Sequence, residues 1–244
     1  MERAQGVREP LLAFSAATAL AALLSLLGGV LPWVRDNLNA FIAVVFFYTP
    51  AVAARLGHRR FDYRDAGLRL DPVRLNLRVV GAAVAITFPL FVVGFFAFYG
   101  YVCGPHGGPL HFGFARLCRA WLGWSGGRPR LPDRFALSAL NQLIVVAIPE
   151  ELFFRGYLQS RLEERWRPSR TFLGAPVGLA LLVSSALFAL GHVLVVPNMQ
   201  RLAVFFPALV FGWMRSRTGS IAAGATFHAL CNILADVLHT SFFY

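Results

Sequence analysis

The chain has 244 residues, of which 57% are hydrophobic and 14% charged, and its mean hydropathy is +0.59. A soluble domain averages about a quarter charged residues, so this composition excludes an ordinary water-soluble enzyme and places the chain in a membrane. The net charge of +11 would suit a nucleic-acid partner, but the arginines stand at the ends of apolar runs, where they set membrane topology instead.

Seven apolar runs follow one another, at about 11–34, 38–55, 77–102, 135–158, 173–196, 201–216 and 219–242. Each is near the roughly 17–25 residues that a bilayer requires. The expected fold is all-α, a polytopic transmembrane helix bundle of about seven spans, with six to eight compatible with the run boundaries. It is read as one continuous membrane domain. Residues 1–134 supply N-terminal helices, an Arg-rich loop and a segment 103–134; residues 135–244 supply a helical core.

All 23 basic residues are arginine. Between the second and third runs lie Arg55, Arg59, Arg60, Arg64, Arg69, Arg74 and Arg78; after the fourth come Arg161, Arg165, Arg167 and Arg170; after the sixth, Arg215 and Arg217. Loops of this kind stay cytoplasmic, which puts the N-terminus inside and the C-terminus outside. The expected location is the plasma membrane of a bacterium.

Within 103–134, Phe114, Leu117, Cys118, Trp121 and Leu122 recur at helical spacing, with Arg116 and Arg119 on the other side. Two readings fit: a helix in the interface with its aromatics towards lipid, or one packed against the other helices. Cys103 and Cys118 share this non-cytoplasmic region, where a disulfide is conceivable; with Cys231 they form no CxxC and no zinc spacing.

Polar residues deep in the spans concentrate in the C-terminal half. The fourth run holds Asn141, Gln142, Glu150, Glu151 and Arg155; the fifth holds Ser184, Ser185 and His192; the seventh holds Thr226, His228, Asn232, Asp236 and His239. An ionisable residue at membrane depth is expensive and points to function. At 3.6 residues per turn, Glu151 and Arg155 share a face as a favourably ordered ion pair. Glu150 sits about 100° round the helix, which leaves it a carboxylate without a local partner. His228 and Asn232 also stand one turn apart on one face, and Asp236 continues that face, either orienting His228 or lying near the far interface. A carboxylate in a low-dielectric setting can act as general base on water. Imidazole and amide N–H groups can donate to a developing oxyanion. The sequence has no HExxH pair and no obvious nucleophile elbow.

The motifs EExxxR (Glu150, Glu151, Arg155), FxxxH (Phe188, His192) and HxxxN (His228, Asn232), in that order on successive polar spans, resemble the CPBP family of intramembrane proteases. This family includes CAAX-prenyl endopeptidases and bacterial bacteriocin-processing and self-immunity proteins. The resemblance covers roughly residues 135–240. It implies an intramembrane endopeptidase in which Glu150 activates water with help from His192, while Glu151 and Arg155 shape the site. His228 and Asn232 would then form the oxyanion hole. No cofactor is expected; zinc on Glu150, His192 and His228 is the lesser alternative, since two Glu and two His can bind it. The implied partner is a membrane-associated peptide, a leader or C-terminal tail, with no nucleic acid involved and the oligomeric state left open. The competing readings are a non-catalytic peptide-binding or immunity protein and a small proton-coupled transporter. Against the transporter, the polar residues fall in one half and no inverted repeat is visible.

Overall fold

A backbone in hydrocarbon must satisfy its own hydrogen bonds, and this chain does so with helix over 78% of its described residues. The computed structural model describes residues 2–105, 114–115 and 117–243. Helix α1 (Glu2–Val30) is followed by a helical turn at Pro32–Asp36, then α2 (Leu38–Leu56) and α3 (Val73–Val102). Helix α4 (Phe135–Arg165) leads into an antiparallel hairpin of β1 (Arg170–Phe172) and β2 (Ala175–Val177). Then come α5 (Leu179–Val195), a 3-10 turn (Met199–Val204), α6 (Phe205–Thr218) and α7 (Ala222–Phe242).

The seven expected runs therefore each carry a helix. Gly6–Val30, Leu38–Leu56, Val73–Val102 and Phe135–Arg165 are long and apolar enough to cross a membrane, and α5 is a shorter apolar helix. The fifth run differs at its start. Its first residues belong to the hairpin, because Leu173 and Gly174 turn the chain with positive φ (47° and 76°) and Pro176 cannot donate a helical hydrogen bond. The helix begins only at Leu179.

The chain packs as two compact units, Met1–Val80 with Leu143–His228, and Gly81–Gln142 with Ala229–Tyr244. In the first, α4 is buried among aromatics. Phe46 stacks on Phe153 at 5.1 Å, Phe14 meets Phe154 edge-on at 6.3 Å, and Phe154 meets Phe188 at 4.9 Å. Edge and offset contacts of this kind add to simple burial.

The Arg-rich loop after α2 is a folded strap as well as a topology signal. Tyr63 stacks on Phe47 at 4.9 Å and donates its hydroxyl to the Phe47 carbonyl; burial holds that hydroxyl above the usual phenol range. Gly67, at φ +96°, accepts from Ile221 N at 2.9 Å, and Arg69 reaches the Gly219 carbonyl at 3.2 Å. The strap thus fixes the start of α7. It also touches α4: a Cβ at Gly156 would stand 2.7 Å from the Ala66 carbonyl oxygen. Gly156→Ala is accordingly expected to lower stability by about 1–3 kcal/mol through overpacking, read as a lower thermal midpoint of the purified protein in detergent.

In the second unit a disulfide joins Cys103 at the end of α3 to Cys118, so the pairing conceivable from sequence is formed. Trp121 bridges to Phe243 and packs among Phe95, Tyr99 and Phe242. Of the two readings of the 103–134 segment, this packing agrees with the second for Trp121. Residues 106–113 and Arg116, to which part of that expectation refers, lie outside the described residues.

Candidate active site

Helix α4 is not uniformly α-helical. Gln142–Ala147 and Leu152–Gln159 are π-helical, and the α-helical turn Ile148–Glu151 between them carries both glutamates. Pro149 supplies a physical reason. It has no N–H to give the preceding turn and its ring crowds the carbonyl four residues back, and a widened turn relieves that conflict.

Glu151 and Arg155 are both wholly buried, with Arg155 Nη1 3.2 Å from Glu151 Oε1. The guanidinium also donates from Nη2 to the Ala208 carbonyl at 3.2 Å. It lies over the Phe188 ring at 4.3 Å and the Phe211 ring at 5.3 Å. The aromatic faces and the carboxylate offset part of the cost of burying the cation, whose Nε and Nη1 lack a hydrogen-bond partner in the protein.

Glu151 Oε1 has a second partner, His228 Nδ1, at 3.1 Å. A carboxylate accepts, so Nδ1 carries the hydrogen and the tautomer is fixed from outside the reacting nitrogen. The imidazole is stacked on Phe211 at 4.7 Å and 13°. Its other nitrogen, Nε2, lies 3.8 Å from Glu150 Oε2. The Glu150 side chain is 14% exposed, and its Oε2 is buried without a hydrogen-bond partner in the protein. Space on this side of the cluster is tight: a Cβ at Gly224 would stand 3.0 Å from Glu151 Oε2. Gly224 lets α7 approach the carboxylate.

His192 is half-buried at the end of α5. Its Nδ1 donates to the Phe188 carbonyl at 2.9 Å, since a carbonyl only accepts. Its ring lies 4.4 Å from that of Phe188. Phe188 is thus the common neighbour of Arg155, His192 and His228, the last at 5.8 Å.

Asn232 stands one turn beyond His228 on α7. In the second unit its Nδ2 donates to Gln142 Oε1 at 3.0 Å, and Gln142 Nε2 donates to Asp236 Oδ2 at 3.1 Å. An ionised Asp can only accept, so it orders the row: Gln142 must turn its amine to Asp236 and its oxygen to Asn232. The sequence leaves Asp236 either orienting His228 or lying near the far interface; the bond it forms here is to Gln142.

The structure therefore gathers Glu150, Glu151, Arg155, Phe188 and His228, brings His192 against Phe188, and engages Asn232 with Gln142. Sequence reasoning did not single out Phe211, Gly224 or the Gln142–Asp236 bond. For Gln142 a signal existed, an amide within an apolar run. For the lesser zinc alternative, no group of three His, Cys, Asp or Glu side chains is gathered to hold a metal ion among the described residues, while His228 keeps Nε2 open beside Glu150 with Nδ1 held by Glu151. No step below runs through a metal.

Comparison with known proteins gives one family. Residues 132–234 match the family model of the type II CAAX prenyl endopeptidase Rce1-like proteins. No curated protein and no solved structure matches the chain. The matched span contains Glu150, Glu151, Arg155, Phe188, His192, His228 and Asn232, so residues 132–234 are similar to the type II CAAX prenyl endopeptidase Rce1-like proteins, and helices long and apolar enough to cross a membrane accompany them, as fits an integral membrane protein.

Proposed function

We propose that the chain is an intramembrane endopeptidase in which Glu150 and His228 together handle the proton of a hydrolytic water, with no metal taking part. The observation that carries this reading is the buried, unpartnered Oε2 of Glu150 facing His228 Nε2, while Glu151 holds the other ring nitrogen.

In the forward step Glu150 takes a proton from water, and the hydroxide attacks the peptide carbonyl carbon. The oxyanion accepts hydrogen bonds, and the proton passes to the departing amine as the C–N bond breaks. His192 assists through Nε2, the nitrogen left free by its bond to Phe188 O. Asn232 is assigned the oxyanion donation that the motif resemblance implies; its Nδ2 donates one hydrogen to Gln142 Oε1. The substrate is a membrane-associated peptide, a leader or C-terminal tail. The N-terminus is cytoplasmic, supported by the arginine distribution and by the Cys103–Cys118 disulfide, a bond of oxidising compartments.

The test compares membrane proteomes of a strain lacking the chain and a strain carrying only Glu150→Gln. The same uncleaved precursor is expected to accumulate in both. Processing restored by the Gln variant would instead favour a non-catalytic binding protein.

The ordered amides give a second expectation. Asn232→Ala should slow cleavage by about 10²–10³-fold, the usual worth of an oxyanion donor. Asp236→Asn should slow it by a smaller factor with KM unchanged, because the amides can then flip. Combined, the two should cost no more than Asn232→Ala alone. Additive losses in the double variant would count against the ordering role.

A further inference from the structure

An apolar slot of about 810 Å³ runs between α1 and α2, away from Glu150 and His228. Its floor is built from small side chains, Ala13, Ala16 and Ala17 of α1 with Thr49 and Ala53 of α2. The Thr49 hydroxyl is taken up by the Val45 carbonyl at 2.7 Å, so the floor offers a ligand apolar contact. The walls are exposed apolar side chains, Leu12 (58%) and Leu20 (45%) on one side and Val44, Tyr48, Val52 and Leu56 on the other.

Charge lies at one end alone. Arg8 and Glu9 line the mouth beside Leu56 and Gly57. Glu9 is already saturated: it pairs with Arg59 and Arg161 and accepts from the Tyr157 hydroxyl at 3.2 Å. Arg8 is exposed and, among the described residues, without an acidic partner, as are Arg55 and Arg60, close in sequence to the Leu56–Gly57 end of the slot. Arg161 also pairs with Glu164, so Glu9 is neutralised by its partners while Arg8, Arg55 and Arg60 leave the mouth positive. From Arg8 to Leu20 the slot follows α1 for about 18 Å at 1.5 Å per residue, a little more than half of a hydrocarbon core about 30 Å thick.

We propose that this slot seats an anionic glycerophospholipid of the leaflet on the arginine side, with its acyl chains between α1 and α2 and its phosphate on Arg8, Arg55 and Arg60. The charge complementarity and the one-leaflet depth select this occupant. A zwitterionic lipid gains the same apolar contact but carries no net charge for the arginines, and a soluble anion gains only the arginines. Basic residues beside a membrane surface attract anionic headgroups additively. Because Glu9 ties the mouth to Arg161 and Tyr157 of α4, the seat stands at the support of the helix that bears the glutamates.

The experiment is native mass spectrometry of the full chain released from detergent. Phosphatidylglycerol and phosphatidylcholine with identical acyl chains are titrated separately. The wild type should retain phosphatidylglycerol about tenfold better. Arg8→Gln/Arg55→Gln/Arg60→Gln should reduce it to the phosphatidylcholine level, and Ala16→Trp, which plugs the slot from an exposed position, should reduce both lipids. Equal retention of the two lipids by the wild type would overturn the proposal. So would a phosphatidylglycerol preference untouched by Ala16→Trp, which marks surface charge alone, or displacement of the lipid by soluble glycerophosphate.

Discussion

Glu150→Gln is expected to lower the cleavage rate by about 10²–10⁴-fold, the usual worth of a positioned acid–base group, while the protein stays folded. The substitution keeps size and hydrogen-bonding capacity but removes the ability to take a proton from water. Stability should not fall. Oε2 of Glu150 is buried without a hydrogen-bond partner and, among the described residues, forms no close ion pair with an arginine, so a neutral amide breaks no hydrogen bond or arginine pair there. Glu151→Gln should behave differently, because Glu151 holds both Arg155 and His228. Its loss removes the charge partner of a buried guanidinium and frees the imidazole tautomer.

The measurement is single-turnover cleavage of the accumulating precursor by purified wild type and variant, together with thermal unfolding of both. A rate deficit at saturating substrate with an unchanged or higher midpoint is the expected pair of results. Wild-type turnover by Glu150→Gln would remove the general base from the mechanism. Equal activity after exhaustive chelation is a parallel expectation of the metal-free route, and loss of activity restored by zinc would move the assignment to a metalloenzyme.

How much of this could be read from the sequence depends on the range of the interaction concerned. The Glu151–Arg155 pair is local, four residues apart in one helix, and simple periodicity finds it even though π-helical turns flank it. The apartness of Glu150 follows from the same geometry, because Ile148–Glu151 keeps an α-helical turn. The meeting of Glu150 with His228 joins residues far apart in the chain, and in the sequence only the order of the motifs points to it. The π-helical turns are not legible from periodicity; Pro149 inside an apolar run is a local sign of the first of them, Gln142–Ala147. The strap after α2 was read only as positive charge. Its docking depends on Gly67 at positive φ, on Gly156 passing close to Ala66, and on Ser220 reaching the Arg69 carbonyl. Those are tertiary contacts between segments with no shared periodicity. The same holds for Phe211 beneath His228 and Gly224 beside Glu151. An aromatic and a glycine in an apolar helix look alike whether they line a site or fill a core.

Arg155→Met is expected to be the most destabilising single change in the site, by about 3–5 kcal/mol, the usual cost of removing one partner from a buried ion pair. Against a total stability of about 5–15 kcal/mol for a typical domain, that is a large share. The reason lies in what is left behind. Glu151 is wholly buried, its Oε2 already has no hydrogen-bond partner, and without Arg155 its remaining support is His228. The rings of Phe188 and Phe211 lose the cation between them as well. A chain that avoids unfolding must neutralise Glu151 or let water reach it, and either change loosens His228 opposite Glu150. Activity and stability should therefore fall together, unlike the separation expected for Glu150→Gln. The double variant Glu151→Gln/Arg155→Met tests the cause. If the penalty comes from the stranded carboxylate, the double variant should unfold at a higher midpoint than Arg155→Met alone and yet remain slow, because an amide cannot hold His228 as the carboxylate does. A double variant as unstable as the single would show that Arg155 acts through its packing against Phe188 and Phe211 and its bond to the Ala208 carbonyl, with the ion pair contributing little.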